Sequence, residues 1–354
     1  MTMSQLDQLL RENIRQLVPY SSARTEYSGR DAIFFDANEN PYNSPYNRYP
    51  DPLQTELKKG ISLIKKVDPG KIFIGNGSDE AIDLLIRAFC VPGVDHILVP
   101  VPTYGMYEVC ANVNDAGIDK ILLKPDFNLD AEKILDSVNK QTKIIFLCSP
   151  NNPSGNSFAE SDILAILNNF DGITVLDEAY IDFAPHRGFI KYLNDFPNLV
   201  ILQTFSKAWG MAGVRLGFAF GDEKLIHILN KIKYPYNINV LTQKTVLDML
   251  ERKTEMEMWV KSILQQKRYM EDKLRQIRYV QKVYPSDANF LLVKVDDPVT
   301  VYKYLESSKL IVRNRSNMPL CDGCLRITVG SEIENKILID KMLMYQNETN
   351  TSGK

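Results

Sequence analysis

Between about residue 70 and residue 220, short β-rich runs alternate with amphipathic helical patterns. The runs predicted as strands are residues 72–74, 96–99, 118–123, 143–147, 173–176, 199–203 and 215–220. The helical stretches between them include residues 78–90, 104–112 and 158–170. This alternation is typical of an α/β domain with a largely parallel sheet. Such a sheet binds its ligand at the carboxyl ends of its strands.

The pattern changes after Pro235, where a second and smaller α+β unit is expected. A long charged helical stretch covers residues 240–279, followed by a strand at 289–294 and a helix at 299–308. Two short strands near Arg313 and Arg326 and a final helix at 332–345 complete this unit. We therefore predict a large domain at residues 40–250 and a small domain formed by residues 1–39 and 251–354.

Composition excludes several classes of partner. The chain has 354 residues and a net charge of −2, without the basic surface that a nucleic-acid-binding protein needs. Because no apolar run reaches the length of a membrane helix, we expect a cytoplasmic protein. The five cysteines fit reduced thiols, and Cys321 and Cys324 lack the second CxxC pair that a zinc site would need. No metal is expected.

Two loops after predicted strands carry residues suited to binding an anion and a polar ring. The segment GNGSDE from Gly75 opens a helix at Ser78, where free backbone N–H groups form an anion site. An ordinary capped helix start, with Asp79 complementing the helix dipole, is the alternative. The segment CSPNNPSG from Cys148 displays Asn152 on a stiff loop, which favours one oriented hydrogen bond.

Asp177 and Lys207 follow the next two predicted strands. Asp177 comes after four largely apolar residues, and burying its carboxylate would require a cationic partner such as a protonated heterocycle. A helix-starting aspartate on the surface is the alternative. Desolvation would lower the pKa of the Lys207 amine, as a covalent bond to a carbonyl compound requires. Arg215, further along the same loop, offers a planar fork suited to a phosphate. Together these are the parts of a pyridoxal phosphate (PLP) site.

The order of the motifs SPNNPSG, DEAY and SKAWGMAGVRLG resembles the fold-type-I PLP-dependent aminotransferases. The sequence is more specifically similar to the histidinol-phosphate aminotransferases of the class II subfamily. That similarity lies in ANENPY from Ala37, RYPDP from Arg48, GNGSDEAIDLLIRAFCVPG from Gly75, PTYGMY from Pro102 and GCLRITVG from Gly323. The resemblance implies the type I fold, an α/β architecture with a large domain whose mostly parallel sheet is flanked by helices, plus a smaller α+β domain.

The resemblance also implies roles for individual residues. The implied catalytic residues are Lys207 as the covalent anchor of the cofactor, Asp177 as the partner of its ring nitrogen, and Tyr180. The implied cofactor-binding residues are these three with Asn152, Tyr104, Ser78, Asp79, Thr204, Ser206 and Arg215, and Tyr49 at the cofactor of the other subunit in a homodimer. The implied substrate-binding residues are Arg326, Arg313, Tyr20 and Asn38. Trp209 and Met211 are bulkier than the resemblance leads us to expect, and we place them at the rim of the site.

The expected activity is transfer of an amino group between L-histidinol phosphate and 2-oxoglutarate or glutamate, in histidine biosynthesis. Alternatives on the same fold are an aromatic-amino-acid aminotransferase and a phospho-amino-acid decarboxylase. A PLP-fold regulatory protein would need a basic DNA-binding module before the fold. A nicotinamide dehydrogenase would need a glycine fingerprint that this sequence lacks. The resemblance implies small-molecule substrates and a homodimer with shared active sites, and neither nucleic acid nor a membrane is expected as a partner.

Overall fold

The large unit of the fold is a seven-stranded sheet. A computed structural model describes residues 3–20 and 33–351. The sheet has the strand order β1-β7-β6-β5-β4-β2-β3. Its strands are β1 (Ile72–Asn76), β2 (His96–Val101), β3 (Gly117–Leu122), β4 (Thr142–Cys148), β5 (Ile173–Asp177), β6 (Leu199–Thr204) and β7 (Leu216–Phe220). All seven strands were predicted from the sequence.

The sheet is largely parallel, as predicted, with β7 as the exception. β7 pairs antiparallel with both β6 and β1, whereas the strands from β3 to β6 pair in parallel. The prediction that β7 begins at Arg215 is wrong, because Arg215 has a left-handed backbone with φ of 58° and the strand begins at Leu216. The turn reverses the chain and leaves the arginine side chain in the loop.

Helices cover both faces of this sheet because the strands are apolar on both sides. The helices of the large unit are α1 (Met3–Leu9), α2 (Glu12–Gln16), α3 (Thr55–Lys65), α4 (Ser78–Phe89), α5 (Met106–Val113), α6 (Ala131–Asp136), α7 (Glu160–Asn169), α8 (Glu223–Ile232) and α9 (Val240–Leu250). Buried residues of α1, α2, α4, α5 and α8 form one apolar cluster with the sheet. Those of α3, α6, α7 and α9 form another.

The small unit is a four-stranded antiparallel sheet in the order β10-β11-β9-β8. Its strands are β8 (Val280–Val283), β9 (Phe290–Val295), β10 (Arg313–Asn314) and β11 (Cys324–Thr328), and its helices are α10 (Lys253–Leu274), α11 (Pro298–Ser307) and α12 (Glu332–Thr351). One face packs against these three helices. The other face contributes Phe290, Leu292 and Cys324 to a cluster of the large unit, which brings β11 next to the large sheet.

The long helical stretch predicted at residues 240–279 is formed by two helices rather than one. α9 ends at Leu250 and α10 begins at Lys253. The chain turns there because α9 buries Val246 against the large sheet, whereas the far end of α10 buries Leu274 in the small unit. The last helix also continues beyond the predicted end at residue 345, to Thr351, since neither Gly nor Pro interrupts it there.

The division of the chain into domains stays a prediction, although the first residues contact the large sheet. Leu6, Leu10 and Ile14 belong to a cluster on that sheet. The guanidinium of Arg11 donates to the carbonyl of Arg87 at 2.7 Å. Residues 3–17 therefore pack with the large unit instead of the small domain to which residues 1–39 were assigned. Residues 21–32 of that assignment lie outside the described residues.

Candidate active site

A cleft lies at the carboxyl ends of β1, β4, β5 and β6, where the sheet geometry predicts a ligand site. These strands run parallel to one another, so the loops after them meet at one edge. Ten of the residues selected from the sequence line this cleft: Ser78, Asp79, Tyr104, Asn152, Asp177, Tyr180, Thr204, Ser206, Lys207 and Arg215. The fold therefore brings together residues that are far apart along the chain.

Asp177 is the last residue of β5 and is almost fully buried. Its Oδ2 accepts a hydrogen bond from the hydroxyl of Tyr107 at 2.7 Å, and its Oδ1 accepts one from the N–H of Ala179 at 3.0 Å. Burial raises the pKa of Asp177 to about 6, against the opposing effect of these two donors. The carboxylate is thus held in a fixed orientation and would be stabilised by a cation in the cleft.

Lys207 lies in the loop after β6, with its ammonium 5.5 Å from the centre of the Tyr180 ring. Burial lowers the pKa of Lys207, and the positive charge of Arg326 lowers it further, whereas Asp177 opposes the shift. A lysine with a lowered pKa has a larger neutral fraction, and the neutral amine is the nucleophile and the base. The cleft therefore contains an amine whose lowered pKa favours its reactive, neutral form.

Two glycines shape an anion cradle at the start of α4. Gly77 has φ of 71°, and a Cβ there would come within 2.9 Å of Arg215 Nη2. A Cβ on Gly217 would lie 2.2 Å from the backbone nitrogen of Ser78. The absence of these side chains lets β7 approach the helix start, where backbone N–H groups and the Arg215 guanidinium face the same space. This cradle suits a phosphate.

The hydroxyl groups of Thr204 and Ser206 stand beside this cradle. Thr204 Oγ1 accepts a hydrogen bond from the Ser206 N–H at 3.0 Å and donates to the Leu216 carbonyl at 3.3 Å.

Tyr104 is held on the other side of the cleft through Asp79. The Tyr104 hydroxyl donates to Asp79 Oδ1 at 3.1 Å, and Asp79 Oδ2 lies 3.8 Å from Arg215 Nη2. These contacts position the ring of Tyr104 at the cleft.

Arg326 reaches the cleft from β11 of the small unit. Its Nη1 donates to Oδ1 of Asn152, and its guanidinium carbon lies 5.2 Å from the centre of the Phe290 ring. Its Nε is buried without a hydrogen-bond partner among the described residues. Arg313 is the residue directly opposite Arg326 across the two strands and is exposed. An anionic ligand would satisfy the unpaired donor of Arg326.

Besides Arg313 and Arg326, three further residues selected from the sequence are absent from the lining of the cleft. Tyr20 and Asn38 are exposed, and their roles stay predictions. Tyr49 stacks on Tyr236 with ring centres 4.5 Å apart. Its predicted contact is with the other subunit of a dimer.

The expectation that Trp209 and Met211 shape the rim of the site is wrong. Trp209 is 1% exposed and Met211 is 8% exposed, and both belong to the cluster beneath the loop. The Trp209 ring packs edge-on against Phe205 at 5.2 Å. The backbone turns at Gly210, whose φ is 66°, so these side chains point into the core while Lys207 points into the cleft.

The sequence analysis missed Tyr107 and Arg315. Tyr107 is fully buried, stacks on Phe146 with ring centres 4.8 Å apart and holds Asp177. A polar aromatic residue on the buried face of a predicted helix was the available signal, since a buried hydroxyl needs a partner. Arg315 follows β10 and also has a buried Nε without a hydrogen-bond partner among the described residues.

An amine of lowered pKa, a buried carboxylate and an anion cradle surround one cleft at a sheet edge, and this combination suits an enzyme that uses PLP. The model of the family described as aminotransferase class I and II matches residues 35–342, and the chain belongs to this family. It is 53% identical over 345 residues to the histidinol-phosphate aminotransferase of Bacteroides fragilis (strain YCH46), a match that covers 97% of this chain and 100% of that relative.

Solved structures show the same fold at lower identity. The histidinol-phosphate aminotransferase of Clostridium acetobutylicum superposes with a TM-score of 0.79 at 23% identity, covering 86% of this chain and 92% of that one. The enzyme of Sinorhizobium meliloti, solved in complex with pyridoxal-5'-phosphate, has a TM-score of 0.78 at 21% identity, covering 85% and 83%. These likenesses establish the type I fold that the sequence predicted. In the part of the chain that the structure describes, no helix is both long and apolar enough to cross a membrane.

Proposed function

We propose that this aminotransferase moves the amino group between L-histidinol phosphate and 2-oxoglutarate or glutamate, with PLP as its cofactor, in histidine biosynthesis. The assignment of the substrate rests mainly on the position of Arg326. This residue enters the cleft from the small unit beside Lys207, and its buried Nε has no hydrogen-bond partner among the described residues. A phosphate or a carboxylate on the substrate would satisfy this donor in turn. The naming of close relatives as histidinol-phosphate aminotransferases supports the same substrate.

The residues of the cleft fit PLP. The N–H groups at Ser78, the Arg215 guanidinium and the hydroxyls of Thr204 and Ser206 would hold its phosphate. Asp177 would pair with its ring nitrogen, and the Asn152 amide and the Tyr180 hydroxyl would bind its ring oxygen. When bound, PLP supplies the carbonyl that exchanges the amino group and a protonated ring that accepts electron density.

Lys207 would carry the proton in this reaction. Lys207 is half-buried, and its lowered pKa keeps a neutral fraction that can accept a proton from the α-carbon of the substrate. Tyr180 stands beside this amine and orients it, since the ammonium faces the ring at 5.5 Å. Asp177, fixed by two donors, would keep the opposite end of the site negatively charged.

We further propose that the active unit is a cytoplasmic homodimer in which Tyr49 completes the site of the other subunit. Large apolar side chains remain exposed in the segment that precedes this tyrosine, among them Ile33 at 80%, Phe35 at 94% and Tyr42 at 78%. Patches of this kind mark protein–protein contacts. The five cysteines are free thiols, which fits a reducing compartment.

The half-reaction with one amine tests this function. The absorption spectrum of the PLP-loaded protein is recorded, and then histidinol phosphate or phenylalanine is added alone. We expect the visible band of the bound cofactor to bleach with histidinol phosphate, with pyridoxamine phosphate as the product. Bleaching with phenylalanine alone would move the substrate to the aromatic class. Release of carbon dioxide from a phospho-amino acid would favour the decarboxylase.

A further inference from the structure

Three arginines lie side by side where the small sheet meets the cleft. Arg313 of β10 pairs with Arg326 of β11 across the antiparallel ladder. The N–H of Arg315 donates to the Cys324 carbonyl at 2.9 Å and so continues this pairing beyond the end of β10. Residues two apart along a strand share a face, which puts Arg313, Arg315 and Arg326 on the same side of the sheet.

This cluster carries three positive charges without a countercharge. In the part of the chain that the structure describes, none of the three guanidinium groups forms an ion pair with a carboxylate. Like charges directly opposite each other on paired strands are destabilising. The repulsion among the three guanidinium groups destabilises the protein without ligand. A bound anion between them would offset this repulsion, which explains why the arginines lie together.

Arg315 is directed toward the same space as Arg326. Burial lowers the pKa of Arg315, and the neighbouring charge of Arg313 contributes to the shift. Burial raises the pKa of Tyr180, whose ring faces Lys207, and the charges of Arg326 and Arg315 both oppose this rise, so both guanidinium groups lie near the Tyr180 hydroxyl. The thiol of Cys321 also lies beside Arg315, but burial raises the pKa of this thiol to about 12, so it supplies no negative charge at neutral pH.

We propose that Arg315 is a third cation of the substrate site and that it selects amines carrying a phosphate dianion over amines carrying a carboxylate or no anion. This rests on the proposed function, whose substrate is a phosphate monoester. Such an ester carries close to two negative charges at pH 7, whereas a carboxylate carries one. Two arginines suffice for a carboxylate, and a third matches the additional charge and the additional oxygen of the phosphate.

The test compares an amine with and without its phosphate. KM and kcat are measured with histidinol phosphate and with histidinol for the wild type, Arg315→Gln, Arg315→Lys and the control Arg275→Gln. Arg275 is an exposed arginine 3.9 Å from Asp272 at the end of α10, away from the cleft. We expect Arg315→Gln to raise KM for histidinol phosphate about tenfold or more, since charged hydrogen bonds contribute at least that factor. Its kcat and its KM for histidinol change little, and Arg275→Gln matches the wild type.

Inorganic phosphate gives a second readout that does not depend on the amine. It is used as an inhibitor of the half-reaction with glutamate, and Arg315→Gln should weaken this inhibition by a similar factor. Arg315→Lys, which keeps the charge but loses the fork, should lie between the two. This variant carries the test if Arg315→Gln does not fold, and inhibition equal to the wild type would then overturn the proposal.

An equal loss with histidinol phosphate and histidinol would assign Arg315 a structural role and overturn the proposal. If the wild type turns over another amine instead of histidinol phosphate, the proposed function fails. The phosphate inhibition still decides the role of Arg315 in that case.

Discussion

Tyr107 donates a hydrogen bond of 2.7 Å to Oδ2 of Asp177 from inside the core of the large unit. The tyrosine lies on α5 and the aspartate at the end of β5, and the Tyr107 ring is fixed by stacking on Phe146 at 4.8 Å. The apolar stacking and the polar contact use different parts of one side chain. Because the Tyr107 ring is fixed by the core, its hydroxyl fixes the orientation of the carboxylate that we assign to the cofactor ring.

Replacing Tyr107 with Phe should weaken cofactor binding without unfolding the protein. The substitution keeps the stacking on Phe146 and removes the donor to Asp177, whose pKa rises because this hydrogen bond lowers it. A hydrogen bond to a charged group contributes about 1.5–3 kcal/mol, so the dissociation constant for PLP should rise roughly tenfold or more. Fluorescence titration with PLP across a range of pH measures this. Equal affinity of the two proteins at every pH would show that Tyr107 only fills space.

The extent to which the site was predictable follows from the distances between residues. Lys207, Asp177 and Asn152 each follow a predicted strand, and parallel strands bring such residues to one edge, so their proximity could be inferred. For Tyr107 the sequence indicates a buried hydroxyl that needs a partner, but it does not indicate that Asp177 is this partner. The contacts of Tyr107 and Arg315 depend on how α5 and β10 pack against other elements. The burial of Trp209 was missed for the same reason, since the turn at Gly210 decides which side chains enter the core.

The stability of the cofactor-free protein should fall as the pH rises from about 4 to 6. The pKa of Asp177 is raised by burial from its ordinary value of 3.8 to about 6, so between these values the folded protein binds more protons than the unfolded chain. The free energy of unfolding then decreases with increasing pH, by about 3 kcal/mol in total for this residue. Denaturant unfolding at pH 4 and pH 6.5 measures the difference.

Asp177→Asn is the matched variant for this pH dependence. It keeps the shape of the side chain and should remove the Asp177 part of the decrease. Glu178 contributes to the pH dependence in both proteins, since burial raises its pKa to about 7. The decrease that remains in the Asn variant therefore includes the contribution of Glu178. The assignment to Asp177 fails if the variant and the wild type lose the same stability between the two pH values.

Replacing Lys207 with Ala should abolish covalent attachment of the cofactor and lower the rate of amino transfer. A positioned general base contributes about 10²–10⁴-fold, and the loss should reach at least this range because the anchor is lost as well. Borohydride reduction followed by mass spectrometry of the peptide containing residue 207 reports the attachment directly. Reduction at another lysine in the wild type would contradict the assignment. Lys224, in the first turn of α8, is the control position for a lysine-to-alanine change.

Mixing two inactive variants tests whether Tyr49 acts in the other subunit of a dimer. Lys207→Ala removes the anchor from its own site, and Tyr49→Ala removes the tyrosine that the partner site would use. In a mixed dimer, one site then combines an intact Lys207 with an intact Tyr49 from the opposite chain. Random exchange of subunits makes half of the dimers mixed, so activity should recover to about a quarter of the wild-type value. Each variant alone, exchanged with itself under the same conditions, provides the baseline. If Tyr49 served the site of its own chain, an active site would need Lys207 and Tyr49 intact in the same chain. Neither variant has both residues, so mixing would restore no activity.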